Sequence, residues 1–128
     1  CPNVPAQHAI QVALGGRQSI YELTGTGGRL LRQRNIAYEK LNEIPGVSAV
    51  KPMGSLYLFP RLDPNVYEIH DDAKLMLDIL KAEKILMVQG TGFNWPNPDH
   101  FRVVTLPWAS QIENAIERLG NFLVSYKQ

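Results

Sequence analysis

The sequence predicts an α/β protein of the α+β type, in which a small, mostly antiparallel sheet is layered with helices. Three observations carry this. Four stretches place apolar residues at helical spacing, several short runs concentrate β-branched and aromatic residues, and proline or glycine punctuates the boundaries. The elements read in the order helix, helix, strand, strand, helix, strand, strand, helix, and layering is the economical way to bury their stripes.

Pro5 can open a helix, because its fixed φ suits the first turn and its missing N–H has no helical partner there. Ala6, Ala9, Ile10, Ala13 and Leu14 follow at helical spacing until Gly15 and Gly16 close it. The alanine-rich stripe predicts close packing against a neighbour. An irregular stretch containing Gly25, Gly27 and Gly28 leads into a longer helix ending near Ile44, with Leu30, Leu31, Ala37, Tyr38, Leu41 and Ile44 as its apolar stripe. Arg29, Arg32 and Arg34 fall on it among Gln33, Glu39, Lys40 and Glu43, which predicts a solvated face. Pro45 and Gly46 stop this helix. Residues 47–51 and 55–59 then read as strands around Pro52-Met53-Gly54, and apolar residues on both faces of the second predict a strand that is central or covered twice.

His70-Asp71-Asp72 supplies caps and negative charge at the start of a third helix, whose Ala73, Met76, Leu77 and Leu80 are expected to face the core. Residues 85–88 read as a third strand. A turn-rich loop at 90–99, holding Phe93 and Trp95, runs into a fourth strand at 100–107. Ser110 and Glu113 have the S-x-x-E spacing of a capping box for a last helix, with Ile112, Ala115, Ile116, Leu119, Leu123 and Tyr126 on one side.

At 128 residues, 45% hydrophobic and 20% charged, the chain is of one-domain size and not of disordered composition. A formal net charge of +1 gives no basic field of the kind nucleic-acid binding needs. The single cysteine, Cys1, cannot form an internal disulfide, and no apolar run is long enough to span a bilayer, so neither a secreted scaffold nor a membrane partner is expected and the location inferred is cytoplasmic. The chain starts at Cys1-Pro2-Asn3-Val4-Pro5 rather than at methionine, which is expected of a piece of a longer polypeptide.

Several motifs resolve into ordinary structure. Gly25-Thr26-Gly27-Gly28 and Gly90-Thr91-Gly92 lack the G-x-x-x-x-G-K-[ST] pattern of a phosphate loop and read as turns. His8, His70 and His100 are scattered, and no metal site is expected. Asp71 and Asp72 are explained as caps, and neither Ser55 nor Ser110 carries the flanking pattern of an activated nucleophile. No complete catalytic set is visible. The exception is Arg102. Strand alternation places it on one face with Val104 and Leu106, an apolar surface, while Phe101, Val103 and Thr105 share the other. A guanidinium leaving water wants a carboxylate or phosphate for its fixed fork of donors, and no acidic residue lies on this strand. Its partner is elsewhere in the fold, in solvent, or a bound ligand; composition alone leaves all three open.

Three segments together carry a resemblance: Pro52-Met53-Gly54-Ser55-Leu56-Tyr57-Leu58-Phe59-Pro60, then Val88-Gln89-Gly90-Thr91-Gly92-Phe93, then His100-Phe101-Arg102-Val103-Val104-Thr105-Leu106-Pro107. They resemble the C-terminal small domain of the class I aminotransferases, fold-type I enzymes dependent on pyridoxal 5′-phosphate. The likeness covers the whole chain. Residues 1–15, with Asn3-Val4-Pro5-Ala6-Gln7-His8, resemble the last helix of the large domain, and residues 16–128 the small domain. Phe93-Asn94-Trp95-Pro96 followed by Asp99-His100-Phe101-Arg102 is most similar to the bacterial alanine transaminases.

The resemblance implies that Arg102 binds the α-carboxylate of an amino-acid substrate in a bidentate fork, and that the small domain closes over the active site when substrate binds. Gly54 and Gly90 match family positions that want close backbone approach, Ser55 stands where glycine or alanine is expected, and Phe93 joins them as a pocket-lining candidate. The cofactor lysine, the aspartate on the pyridine nitrogen and the phosphate cup all reside in the family's large domain. The resemblance therefore implies an inactive fragment with no cofactor-binding or catalytic residue of its own, and a parent homodimer moving an amino group between alanine and 2-oxoglutarate by ping-pong chemistry. Two alternatives stand beside it: another fold-type I enzyme, such as an aromatic aminotransferase or a β-lyase, and a free-standing carboxylate-binding module.

Overall fold

The computed structural model describes residues 1–128, and two of its helices begin where a side chain satisfies a free backbone donor of the first turn. The chain divides into two units, Cys1–Arg32 and Gln33–Gln128. In the first, α1 (Val4–Gly15) starts as expected: Asn3 Oδ1 accepts from the Ala6 N–H at 3.1 Å, Pro5 sits in the first turn, and the Gly16 N–H closes the end on the Val12 carbonyl. None of its residues is buried. The stretch expected to be irregular contains a five-residue helix, α2 (Ile20–Thr24), terminated by the Gly25 N–H bonding back to the Tyr21 carbonyl. One turn and a half is too short to show periodicity in a sequence.

The second unit is built on α3 (Arg29–Glu43) from Gln33 onward, α4 (Asp72–Glu83) and α5 (Ala109–Ser125), with short strands between them. β1 (Val47–Ser48) pairs antiparallel with β3 (Arg61–Leu62), and β2 (Tyr57–Leu58), β5 (Phe101–Val104) and β4 (Val88–Gln89) form an antiparallel sheet in the order β2-β5-β4. An isolated bridge joins Arg61 to His100. The core lies among Ala37 and Leu41 of α3, Leu58, Leu62 and Phe101 of the strands, Leu75 and Ile79 of α4, and Ile112, Ile116, Leu119 and Leu123 of α5. Each fully buried aliphatic contributes about 1.5–3 kcal/mol relative to exposure. No helix is long and apolar enough to cross a membrane.

The α+β class is as the sequence predicts, and the α5 stripe is the expected one, but five local expectations are corrected. The buried face of α4 is Asp72, Leu75, Met76 and Ile79, whereas Ala73, Leu77 and Leu80 face outward. Both sets satisfy helical spacing, and the neighbours decide between them. The N-cap of α5 is Trp108, and Ser110 and Glu113 form no capping box; the Trp108 N–H donates to Gln111 Oε1 at 3.0 Å, which places Ser110 inside the helix. On α3, Gln33 is buried and its Nε2 donates to the Leu106 carbonyl, while Arg34 is part-buried and bonds the Pro52 carbonyl at 3.0 Å, so neither belongs to a solvated face. The second strand lies at the edge of its sheet, and β5 is the central one. Finally, β3 was not expected, because its two residues follow Pro60 at once and only the partner strand gives them a ladder.

Candidate carboxylate-binding site

β5 alternates as its sequence requires: Phe101 and Thr105 are buried, whereas Arg102 is half-buried and Val104 and Leu106 are exposed on the opposite face. Two ladders hold the strand. Arg102 is opposite Val88 of β4, and Tyr57 of β2 is opposite Val104, so Tyr57 stands diagonal to Arg102 on the same face. Beyond β5 the Thr105 N–H and hydroxyl both donate to the Leu56 carbonyl, at 2.8 and 3.1 Å, extending the grip on β2.

The Arg102 guanidinium carbon lies 4.7 Å from the Tyr57 ring centre and 4.6 Å from that of Phe93. A ring's negative face attracts a cation within about 6 Å and keeps water off part of it. No carboxylate of this chain pairs with Arg102, and its Nε is a buried donor with no hydrogen-bond acceptor. Such an orphan costs about 1–3 kcal/mol unless something fills it. The group that fits a planar fork of N–H donors is a carboxylate or a phosphate.

Phe93 reaches Arg102 from a 3-10 turn, Gly90–Phe93. Gly90 is buried, its N–H donates to the His100 carbonyl at 2.8 Å, and a Cβ there would fall 2.7 Å from that same oxygen. Close backbone approach is thus a fact at Gly90. At Gly54 nothing lies within 4 Å of a built Cβ, and Ser55 follows in the left-handed region at φ 67°. These two stand in an exposed bend between the Arg34 bond to Pro52 and the Leu56 carbonyl.

A second cluster supports the loop. Asp99 Oδ1 receives the Trp95 indole N–H at 3.0 Å and lies 2.7 Å from His100 Nδ1, while Oδ2 accepts from Arg61 Nε at 3.2 Å. Burial pushes the Asp99 carboxyl up, but the hydrogen bonds from His100, Trp95 and Arg61 outweigh it and hold the group below its ordinary range. Phe59 stacks on His100 at 4.9 Å and meets Trp95 and Phe93 edge-on at 5.6 and 6.3 Å. The structure therefore brings Phe93 and Arg102 together and sets Gly90 in the turn beneath them.

Tyr57 and Asp72 escaped sequence reasoning. Tyr57 had no signal beyond its place in an expected strand, since its position diagonal to Arg102 follows from the register of β2 on β5. Asp72 had none: it is buried and accepts from both the N–H and the hydroxyl of Thr91, 19 positions away, rather than capping α4, which Asp71 does through the Lys74 N–H.

No protein-family model matches the chain. The chain is 73% identical over 128 residues to an alanine aminotransferase of Mycobacterium tuberculosis, covering 100% of the chain and 30% of that protein. It is 57% identical to the glutamate-pyruvate aminotransferase AlaA of Haemophilus influenzae, again over its full length and 32% of the relative. A crystal structure of an aminotransferase from Escherichia coli superposes with a TM-score of 0.93 at 59% identity, covering 100% of this chain and 32% of that one. The chain thus spans about a third of the length of these relatives. Along its whole length it matches the C-terminal part of alanine aminotransferases, and its fold is that of the same part of aminotransferases, consistent with a fragment of a fold-type I aminotransferase.

Proposed function

We propose that the full-length protein exchanges an amino group between alanine and 2-oxoglutarate, and that this chain contributes Arg102 as the clamp for the substrate carboxylate. The observation that carries this is the buried, unpartnered Nε of Arg102 beside two ring faces. A two-point clamp fixes the carboxylate plane, and with it the direction of the substrate's Cα–H bond, better than a single ammonium. Both the amino acid and the oxo acid carry that carboxylate, so one side chain serves both half-reactions. Gly54, Ser55, Gly90 and Phe93 line the approach, and closure of the domain over bound substrate excludes water.

Pyridoxal phosphate supplies the electron sink of transamination when bound. Its holding groups are assigned to the part of the protein outside this chain, which fits the lysines present: Lys40 pairs with Glu43, Lys74 with Asp78, Lys51 lies over Tyr38 and Lys84 bonds the Lys81 carbonyl. We assign residues 1–15 to the end of that large domain, in keeping with the absence of any buried residue in α1. The assignment extends to a cytoplasmic homodimer. The test is the purified full-length protein with L-alanine and 2-oxoglutarate, where pyruvate and glutamate are expected in equal amounts. Absence of transfer, or a higher kcat/KM for aromatic amino acids than for alanine, overturns it.

A further inference from the structure

Asp72 opens α4, yet the residue is 3% exposed and its carboxylate bonds Thr91. Its Oδ2 accepts from the Thr91 N–H at 2.9 Å and its Oδ1 from the Thr91 hydroxyl at 2.6 Å. Thr91 lies in the same 3-10 turn as Phe93, whose ring centre is 4.6 Å from the guanidinium carbon of Arg102. On its other side the turn is tied by the Gly90 N–H to the His100 carbonyl. A single 3-10 turn has poor hydrogen-bond geometry of its own, so its place depends on such outside ties.

We propose that Asp72 and Thr91 are positioning residues for substrate: a buried latch from α4 that holds Phe93 against Arg102 and so sets the guanidinium for the incoming carboxylate. The proposal rests on the reading of Arg102 as the clamp. An arginine side chain has many rotamers, and the affinity of its fork depends on being held in one of them before the ligand arrives. Neither Asp72 nor Thr91 needs to touch substrate for this.

The test uses the full-length, cofactor-loaded protein and the variants Thr91→Val, Thr91→Ser, Asp72→Asn and Arg102→Lys, at a temperature where circular dichroism shows each folded. Valine keeps the shape of threonine without the hydroxyl; serine keeps the hydroxyl. The readouts are kcat and KM for L-alanine and the Kd of propionate, which has alanine's carboxylate but no amino group and so binds without reacting. Thr91→Val is expected to raise KM and the propionate Kd about fivefold with kcat within about twofold, and Asp72→Asn to do the same. Thr91→Ser is expected to stay near the parent. A Thr91→Val or folded Asp72→Asn variant that melts earlier but keeps the parental KM and Kd overturns the latch, as does a Thr91→Ser as impaired as Thr91→Val. Arg102→Lys separates the two readings: weakened propionate binding there beside an unaffected Thr91→Val removes the latch alone, whereas unchanged binding in Arg102→Lys removes the clamp and the latch with it.

Discussion

The guanidinium carbon of Arg102 lies 4.6 Å from the ring centre of Phe93, although the two residues come from different elements, a central strand and a 3-10 turn. A cation on an apolar strand face is thereby flanked by aromatic faces, with no carboxylate of the chain paired to it.

That relationship gives a direct test of the clamp. In the full-length protein Arg102→Lys is expected to lower kcat/KM for both the amino acid and the oxo acid by an amount corresponding to roughly 2–5 kcal/mol, because the lysine keeps the charge but loses the planar fork. Melting temperature and cofactor content should change little. Normal kinetics, or unfolding without a kinetic defect, would count against the assignment.

Cofactor binding makes a second prediction. Titrated with pyridoxal phosphate and reduced with borohydride, the isolated 128-residue chain is expected to yield no stoichiometric adduct at one lysine, since its lysines stand in surface pairs and tails. Mass spectrometry of the reduced protein decides it, and a single fully modified lysine would show that the chain carries a cofactor site of its own.

Acid stability should report on Asp99. Its folded-state carboxyl is held below the ordinary range, so its contribution is fully present above the unfolded carboxylate value and is lost as pH falls through the lower folded one, a window beginning near pH 4 and running downward. Asp99→Asn is expected to cost about 2 kcal/mol at pH 7 and to narrow its gap from the parent as the buffer approaches pH 3. Urea unfolding at the two pH values measures both. A gap independent of pH would mean that the Asp99 contacts act through packing alone.

Glycine substitutions test the turn. Gly90→Ala drives a Cβ to 2.7 Å from the His100 carbonyl oxygen and is expected to destabilise by about 1–3 kcal/mol. Gly54→Ala meets nothing within 4 Å and should stay within about 0.5 kcal/mol. Comparable unfolding midpoints for the two variants would contradict the close approach at Gly90.

By itself the sequence determined the α+β class, the stripe of α5, the alternation that sets Arg102 on the face opposite Phe101 and Thr105, and the likeness to an aminotransferase C-terminal domain. The first three are properties of spacing along the chain, since a period of 3.6 or 2 says which residues share a face, whereas the likeness is carried by the three motif segments themselves. Only the tertiary structure decided which of two adjacent faces of α4 turns inward, that β2 is an edge strand, and that Gln33 is buried while Arg34 reaches Pro52. It also decided the site itself. Asp72 meets Thr91 and Arg61 meets Asp99 across 19 and 38 positions, and no local pattern encodes such contacts, because their donors and acceptors find one another only after the strands and helices have packed.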